Sequence, residues 1–472
     1  MIRIAEFAGR DVAVFGLART GLAAAKALLA GGARVHAWDE NETARAAAEA
    51  EGLPLSDINT RDWRAFAALV LSPGIPLHFP RPHRIVELAR AVGAPVIGDI
   101  ELFARAVAAL PPAARPKVIG ITGTNGKSTT TALIGHILQC GGKDVRVGGN
   151  IGQAVLDLPP LHAGAVYVLE LSSYQLDLVQ SLRCDVSVLL NLTPDHLERH
   201  GTMANYLAAK KRIFANQGAG DWAIVGVDTP ETAAVCTALL ASGARRVAPI
   251  SASQAMGRGV SALAGCIYDA LDGRAEKVVD LSGAQALPGR HNAQNAAAAF
   301  AAARAFGMTP RAIAEAMATF PGLPHRMENI GQIGGVRFVN DSKATNADSA
   351  AQALAVFPRA HWIAGGVAKA GGIASLASFF PALSGAFLYG EAADGFAATL
   401  AGQTRIERSD DLAGAVRAAF AAARQSSEPD PVVLFSPACA SFDQFRDYEH
   451  RGAVFKQIVA TLDVAPADRA TA

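Results

Sequence analysis

With 472 residues the chain exceeds what one hydrophobic core covers, so several domains are expected, and three fit best. Its 43 Lys and Arg balance 42 Asp and Glu, which leaves no global field to attract nucleic acid or an acidic membrane and leaves only small basic sites for phosphates. Five scattered cysteines without Cys-x-x-Cys spacing read as reduced and mostly buried; the absence of a secretory-type N-terminus or an uncharged apolar run of roughly 18 residues points to a cytoplasmic protein without membrane insertion.

In the first unit Val12–Gly16 reads as a strand, Gly21–Leu29 as a helix stopped by Gly31-Gly32, and Val35–Trp38 as a second strand ending at Asp39. This is a βαβ unit. Its turn, Gly16-Leu17-Ala18-Arg19-Thr20-Gly21, has the dinucleotide fingerprint with Ala18 at the second glycine. Alone it admits an NAD site, and hence a dehydrogenase, or another diphosphate site. Val70–Gly74 ends in a Ser72-Pro73-Gly74 turn expected at the same strand-end crevice. Pro111–Pro116 reads as a linker.

Next comes Val118-Ile-Gly-Ile-Thr-Gly-Thr-Asn-Gly-Lys-Ser-Thr-Thr130, an apolar strand entering a glycine-rich turn. Gly123, Thr124, Asn125 and Gly126 let backbone N–H groups approach a polyphosphate, Lys127 supplies a cation, Ser128 can ligate Mg²⁺, and Thr129 lies in the first turn of the following helix. The nucleotide is expected to be ATP. The strict Gly-x4-Gly-Lys-Ser spacing would need glycine at Ile121, so the loop is a variant, and a tight connection with a solvated lysine is the plain alternative. Glu170 ends the strand expected over Val166–Leu171, a natural second ligand for a Mg²⁺ held by Ser128. After the strand Val186–Leu190, the run Asn191-Leu-Thr-Pro-Asp-His196 puts a histidine in a strand-end loop, where it is either functional or a satisfied loop residue. On the helix expected over Tyr206–Phe214, Lys210 falls near the middle of the face carrying Leu207, Ile213 and Phe214. An inward lysine must be paired, neutral or modified; a snorkelling side chain is the alternative. Strand Trp222–Val227 follows. Asn292 and Asn295, one turn apart at the head of an alanine-rich helix, can cap it or read a purine edge.

Beyond Gly322-Leu323-Pro324 come strands at Val336–Val339, His361–Ala364, Phe387–Tyr389 and Val432–Phe435, with a helix at 411–424 and a tail over 464–472. Arg326, in Pro324-His-Arg-Met-Glu328, and the string Asn340-Asp-Ser-Lys-Ala-Thr-Asn346 add polar groups.

The Gly123–Ser128 loop resembles that of the muramoyl peptide ligases and folylpolyglutamate synthetases, which use ATP to join an amino acid to a carboxylate. The His291-Asn-x-x-Asn295 segment, Arg326 and the 340–346 string resemble further signatures of that family, in the same order. The resemblance implies that Lys210 is carbamylated and holds a second Mg²⁺ with His196, that Asn292 and Asn295 lie at the adenine side, and that Arg326 meets the γ-phosphate. It further implies that Asp341 contacts the ribose and that Lys343 is a cation near the transferring group.

Within the family, the Gly-x-x-x-Thr-Gly turn and the Ser436–Phe445 run resemble the branch that adds D-glutamate to UDP-N-acetylmuramoyl-L-alanine in peptidoglycan precursor synthesis, and no Asp-Asn-Pro-Arg string is present. That branch implies Arg19, Thr20, Asp39, Ser72 and Gly74 at the UDP site and Asn150 and His196 near the muramoyl-alanine end. Thr345, Lys369, Ser441 and Phe442 would surround glutamate. Ala18-Arg19 departs from a Gly-Leu pair in relatives, and Tyr448 stands where the family often has phenylalanine. The expected architecture is α/β in three domains: Rossmann-like over 1–112, a central P-loop-type ATPase domain over 113–322, and Rossmann-like over 323–472. A monomer is expected. Besides the dehydrogenase, a non-catalytic nucleotide-binding regulator remains open.

Overall fold

The computed structural model describes residues 1–284, 286–369 and 371–462, without the side chains of Arg290 and His291; the 464–472 tail expected above lies outside them. The chain forms two compact units, one of residues 1–284 and 290–320, the other of 285–289 and 321–472.

The first unit holds two sheets. One comprises β1 (Asp11–Phe15), β2 (Arg34–Trp38), β3 (Phe66–Leu71) and β4 (Val96–Ile97), all parallel, in the order 2-1-3-4. Strand order reverses between β1 and β3, where doubly wound sheets open a crevice at the strand ends. The second sheet comprises β5 (Lys117–Thr122), β6 (Asp144–Gly149), β7 (Ala165–Glu170), β8 (Val186–Leu189), β9 (Trp222–Gly226), β10 (Arg246–Ser251), β11 (Gly259–Leu263), β12 (Cys266–Ala270) and β13 (Glu276–Asp280). Their order is 13-12-11-10-9-8-5-7-6, parallel from β11 through β6 and antiparallel only in the β11-β12-β13 meander.

Three domains were expected, whereas the two sheets of the first unit share one compact body. The reason is a continuous apolar core: Ile2, Val14, Leu28 and Phe103 belong to the same buried cluster as Tyr167, Leu169 and Val225. The Ile2 N–H also donates to the Leu156 carbonyl at 2.8 Å.

The second unit has one sheet of β14 (Glu328–Ile333), β15 (Val336–Asn340), β16 (His361–Gly365), β17 (Gly385–Tyr389), β18 (Ile406–Ser409) and β19 (Val432–Phe435), in the order 14-15-19-16-17-18. Only the β14-β15 hairpin is antiparallel. Alternate residues feed two cores. Trp362, Ala364 and Leu434 pack on one face, and Ile363, Val433 and Phe435 on the other, as a parallel sheet covered on both sides requires.

Of the cysteines, Cys184, Cys236 and Cys439 are buried, Cys266 is half-buried and Cys140 exposed, all as free thiols. Among the described residues no helix is long and apolar enough to cross a membrane.

Candidate active site

In the first unit the site grows from strand ends. The loop after β5 enters the helix Lys127–Cys140 through Gly126, whose φ is +84° and whose added Cβ would lie 2.2 Å from Asn295 Oδ1. Glycine is required there by both backbone and neighbour. The loop is held from the β8 side: Thr124 N–H donates to the Asn191 carbonyl at 3.0 Å, Asn125 N–H to Asn191 Oδ1 at 2.9 Å, and Thr193 N–H to Thr124 Oγ1 at 3.0 Å. Lys127 Nζ donates to the Gly123 and Thr124 carbonyls at 3.1 and 2.8 Å, while Ser128 and Thr129 are buried beneath the loop. Asn295 accepts from Thr130 Oγ1 at 3.2 Å and donates to Asn292 Oδ1 at 3.0 Å, so this pair lies against the phosphate loop's helix.

β7 lies beside β5 in register, with Glu170 opposite Ile121. Glu170 is buried, and its Oε1 accepts from Asn150 Nδ2 at 2.8 Å while Oε2 has no hydrogen-bond partner. Asn150, expected at the muramoyl-alanine end, therefore also orients the carboxylate. Lys210 sits near the end of the helix Met203–Lys211, which passes into a 3₁₀ turn at Arg212–Phe214. It is 1% exposed, donates to the Gly123 carbonyl at 2.8 Å, and lies 4.5 Å from the Tyr206 ring centre. Burial, and secondarily the Lys127 charge, push its pKa down to about 6, with Asp195 and Glu170 opposing. Near neutral pH it is mainly an uncharged amine. His196 has φ +55°, and its Nδ1 lies 3.0 Å from the Tyr174 hydroxyl.

The loop after β5 and the turn after β1 open into one cavity of about 450 Å³. Lys127, Asn150, His196 and Lys210 line it from the larger sheet, and Arg19, Thr20, Ser72 and Gly74 from the smaller. The turns after β1 and β3 meet closely: Gly16 has φ +89°, and a Cβ there would fall 2.5 Å from Ser72 Cβ. Asp39 fixes the first turn by accepting from Leu17 N–H at 2.6 Å and Asn41 N–H at 2.8 Å. Arg19 donates to the Gly152 and Asn150 carbonyls at 2.6 and 2.9 Å. Lys127 and Arg19 give this cavity the positive charge that suits a polyanion.

Sequence reasoning missed several members. Tyr174 and Gln175 line the same cavity, with Gln175 closing a capping box on Ser172. Gln294 accepts from Asn191 at 2.9 Å and donates to Asp228 at 3.0 Å, linking the ends of β8 and β9. Asp228, a carboxylate just past a strand, could have been found by the reasoning that selected Glu170.

In the second unit the expected residues gather at the ends of three adjacent strands, β15, β19 and β16. Asp341 is buried, accepting from Ser436 Oγ at 2.8 Å and Met327 N–H at 3.1 Å, and burial pushes its pKa up to about 6. Arg326 is flanked by His325 and Met327, both at positive φ, and the His325 carbonyl accepts from Lys343 N–H at 3.0 Å. Lys343 Nζ lies 5.4 Å from the Tyr448 ring centre. Thr345 N–H donates to the Lys343 carbonyl at 2.9 Å. Ser441 is buried, Lys369 exposed, and Phe442 74% exposed.

Comparison with known proteins decides the family. The Mur ligase middle domain matches residues 121–303 and the Mur ligase glutamate ligase domain residues 325–439. The UDP-N-acetylmuramoylalanine–D-glutamate ligase of Phenylobacterium zucineum is 58% identical over 470 residues, covering 100% of both chains. That of Caulobacter vibrioides strain NA1000 is 58% identical over 98% of each. The chain belongs to the UDP-N-acetylmuramoylalanine–D-glutamate ligase branch of the Mur ligase family. Its fold is also that of the UDP-N-acetylmuramate-alanine ligase of Thermotoga maritima, with a TM-score of 0.59 at 17% identity over 96% of this chain and 99% of that one. The MurF ligase of the same organism, in complex with ADP, gives 0.54 at 18% identity over 84% and 90%. Membership of the Mur ligases displaces both the dehydrogenase and the regulator readings.

Proposed function

We infer that this Mur ligase joins D-glutamate to UDP-N-acetylmuramoyl-L-alanine at the expense of ATP, in peptidoglycan precursor synthesis. One observation carries the reading: a phosphate loop and a diphosphate-type turn share one cationic cavity. The division into domains at 1–112, 113–322 and 323–472 belongs to this reading and is supported by the three separate sheets.

A carboxylate is a poor electrophile, and bringing it to ATP sets two anions against each other. Lys127 neutralises that repulsion at the loop, and Arg326 does so at the γ-phosphate. Transfer of the γ-phosphoryl group to the muramoyl-alanine carboxylate gives an acyl phosphate and ADP. The uncharged amine of D-glutamate attacks the acyl carbon, the tetrahedral intermediate expels phosphate, and an amide forms. Asn295 and Asp341 take the nucleoside, Lys343 steadies the transferring group, and Thr345, Lys369, Ser441 and Phe442 take glutamate.

Mg²⁺ fits the residues present. Glu170 Oε2 is a buried acceptor without a partner, at the end of β7 beside the loop after β5. That suits an ion which keeps water and phosphate oxygens among its ligands. Ser128 and Glu170 would hold one ion, and His196 with a carbamylated Lys210 a second; bound there, Mg²⁺ would offset phosphate charge. Support for the carbamate comes from the neutral amine of Lys210, the form that reacts with CO₂.

A coupled phosphate-release assay tests the whole reading. Phosphate should appear only with ATP, UDP-N-acetylmuramoyl-L-alanine and D-glutamate together, and release without D-glutamate at the full rate would overturn it.

A further inference from the structure

Arg199 lies in the short helix Leu197–His200, just past His196, and is buried behind the cavity instead of lining it. Its Nη2 donates to the Pro73 carbonyl at 3.3 Å and to the Ile75 carbonyl, and its guanidinium carbon lies 5.3 Å from the Tyr174 ring centre. The Tyr174 hydroxyl is in turn 3.0 Å from His196 Nδ1. One buried side chain from the loop after β8 thus joins the Ser72-Pro73-Gly74 turn of the smaller sheet to the groups around His196. A second contact runs beside it, since a Cβ on Gly201 would fall 3.2 Å from the Phe79 ring.

What these bonds fix is a peptide plane. Ile75 N–H donates to the Ser72 carbonyl at 3.0 Å, so Ser72–Ile75 is a turn with Pro73 and Gly74 at its centre. In a trans peptide the carbonyl and the following N–H point to opposite sides. With the Pro73 carbonyl turned toward Arg199, the Gly74 N–H faces the other way. Gly74 is exposed and lines the cavity, and its N–H has no acceptor among the described residues. It is a donor free for an anion, and rotation of the plane would put a carbonyl oxygen, which repels phosphate, in its place. Arginine suits the task because one Nη carries two hydrogens, one for each carbonyl, while its planar face covers an aromatic ring.

We propose that Arg199 is a positioning residue for the substrate diphosphate, holding the Ser72–Gly74 turn in the shape that presents the Gly74 N–H and tying that turn to the loop that carries His196. The proposal rests on the reading that this turn takes the diphosphate of UDP-N-acetylmuramoyl-L-alanine. In the full-length enzyme, Arg199→Met should raise KM for that substrate about ten- to a hundredfold and leave KM for ATP and for D-glutamate unchanged. Arg199→Lys keeps the charge, but its ammonium reaches only as far as the guanidinium carbon and has no planar face, so the same KM should rise about tenfold. Calorimetry without ATP should show the matching loss of affinity for UDP-N-acetylmuramoyl-L-alanine in both variants, and Arg199→Lys decides the matter if Arg199→Met fails to fold. A wild-type KM for this substrate in folded Arg199→Lys overturns the proposal. So does a parallel rise of all three KM values, which marks a merely structural role. Wild-type enzyme that neither binds UDP nor is inhibited by it refutes the diphosphate reading of the turn itself, before any variant is made.

Discussion

In the first unit the groups that would meet phosphate are enclosed and held by the protein itself: Lys210 is 1% exposed and bonded to the Gly123 carbonyl, and Glu170 is 2% exposed and bonded to Asn150. In the second unit Lys369 is exposed and Phe442 is 74% exposed, with only Ser441 buried among the residues expected around glutamate. The contrast follows from what each must do. Charge stabilisation at phosphate requires groups fixed before the reaction, in a low-dielectric setting. Capture of a small amino acid tolerates contacts completed on binding, at some cost in ordering. Substitutions in the first unit should therefore act on the chemical step, and those around the amino acid on affinity.

The largest effects test the enclosed side. Lys127→Ala should lower kcat about 10²- to 10³-fold, as loss of a preorganised charge does, while calorimetry still detects binding of UDP-N-acetylmuramoyl-L-alanine. Loss of both together would mean a folding defect, and retained turnover would remove the phosphate-loop assignment. Lys210→Ala should be almost inactive and partly rescued by short carboxylic acids; near-normal activity would make Lys210 a plain buried amine.

A stability effect separates burial from function. Asp99 is buried, and burial raises its pKa from 3.8 to about 6 against weaker opposition from the Ile100 backbone and Gln175. Between these values the folded state binds more protons than the unfolded one, so its contribution falls as pH rises through that window and the penalty is complete above about pH 6. Asp99→Asn should therefore stabilise the protein at pH 7 by about 1–3 kcal/mol, an advantage that vanishes below about pH 4. Denaturation at the two pH values measures it, and an equal advantage at both would show that folding leaves the Asp99 pKa unshifted.

How much of this was legible in the sequence depends on distance along the chain. The phosphate loop was readable because its groups are consecutive, and Lys210 because the helical period turns spacing into direction. Gln294 was not, because its importance arises from β8 and β9 lying side by side, with Asn191 103 residues away. The β10–β13 extension was missed because its short strands alternate with polar turns and carry no long apolar run. The expected boundary at residue 112 is the least visible in the fold, since Ile2 and Tyr167 share one core cluster.

On the amino-acid side, Lys369→Ala should raise KM for D-glutamate about tenfold or somewhat more, the value of one charge-assisted hydrogen bond, with little change in kcat. A fall in kcat at constant KM would place Lys369 with the chemical groups instead and erase the contrast between the two units. D-Glutamine and D-alanine, lacking the second carboxylate, should lose affinity by a similar factor in the wild type and should not respond further to this substitution.

The smallest effect expected is at Tyr448, where the sequence resemblance implies phenylalanine. The ring lies 5.4 Å from Lys343 Nζ, whereas the hydroxyl donates to Glu449 Oε1 at 3.0 Å on the exposed side of the helix. What the site uses is then the π-face, and the phenol oxygen is spent on a solvated neighbour. Tyr448→Phe should leave kcat/KM nearly unchanged, while Tyr448→Leu, which removes the ring but keeps an apolar side chain, should lower it about two- to fivefold, the value of a partly exposed cation–π contact of roughly 0.5–1 kcal/mol. Steady-state kinetics on both variants decide the point. If Tyr448→Phe costs as much as Tyr448→Leu, the hydroxyl takes part in binding, and the departure from phenylalanine marks a contact particular to this chain.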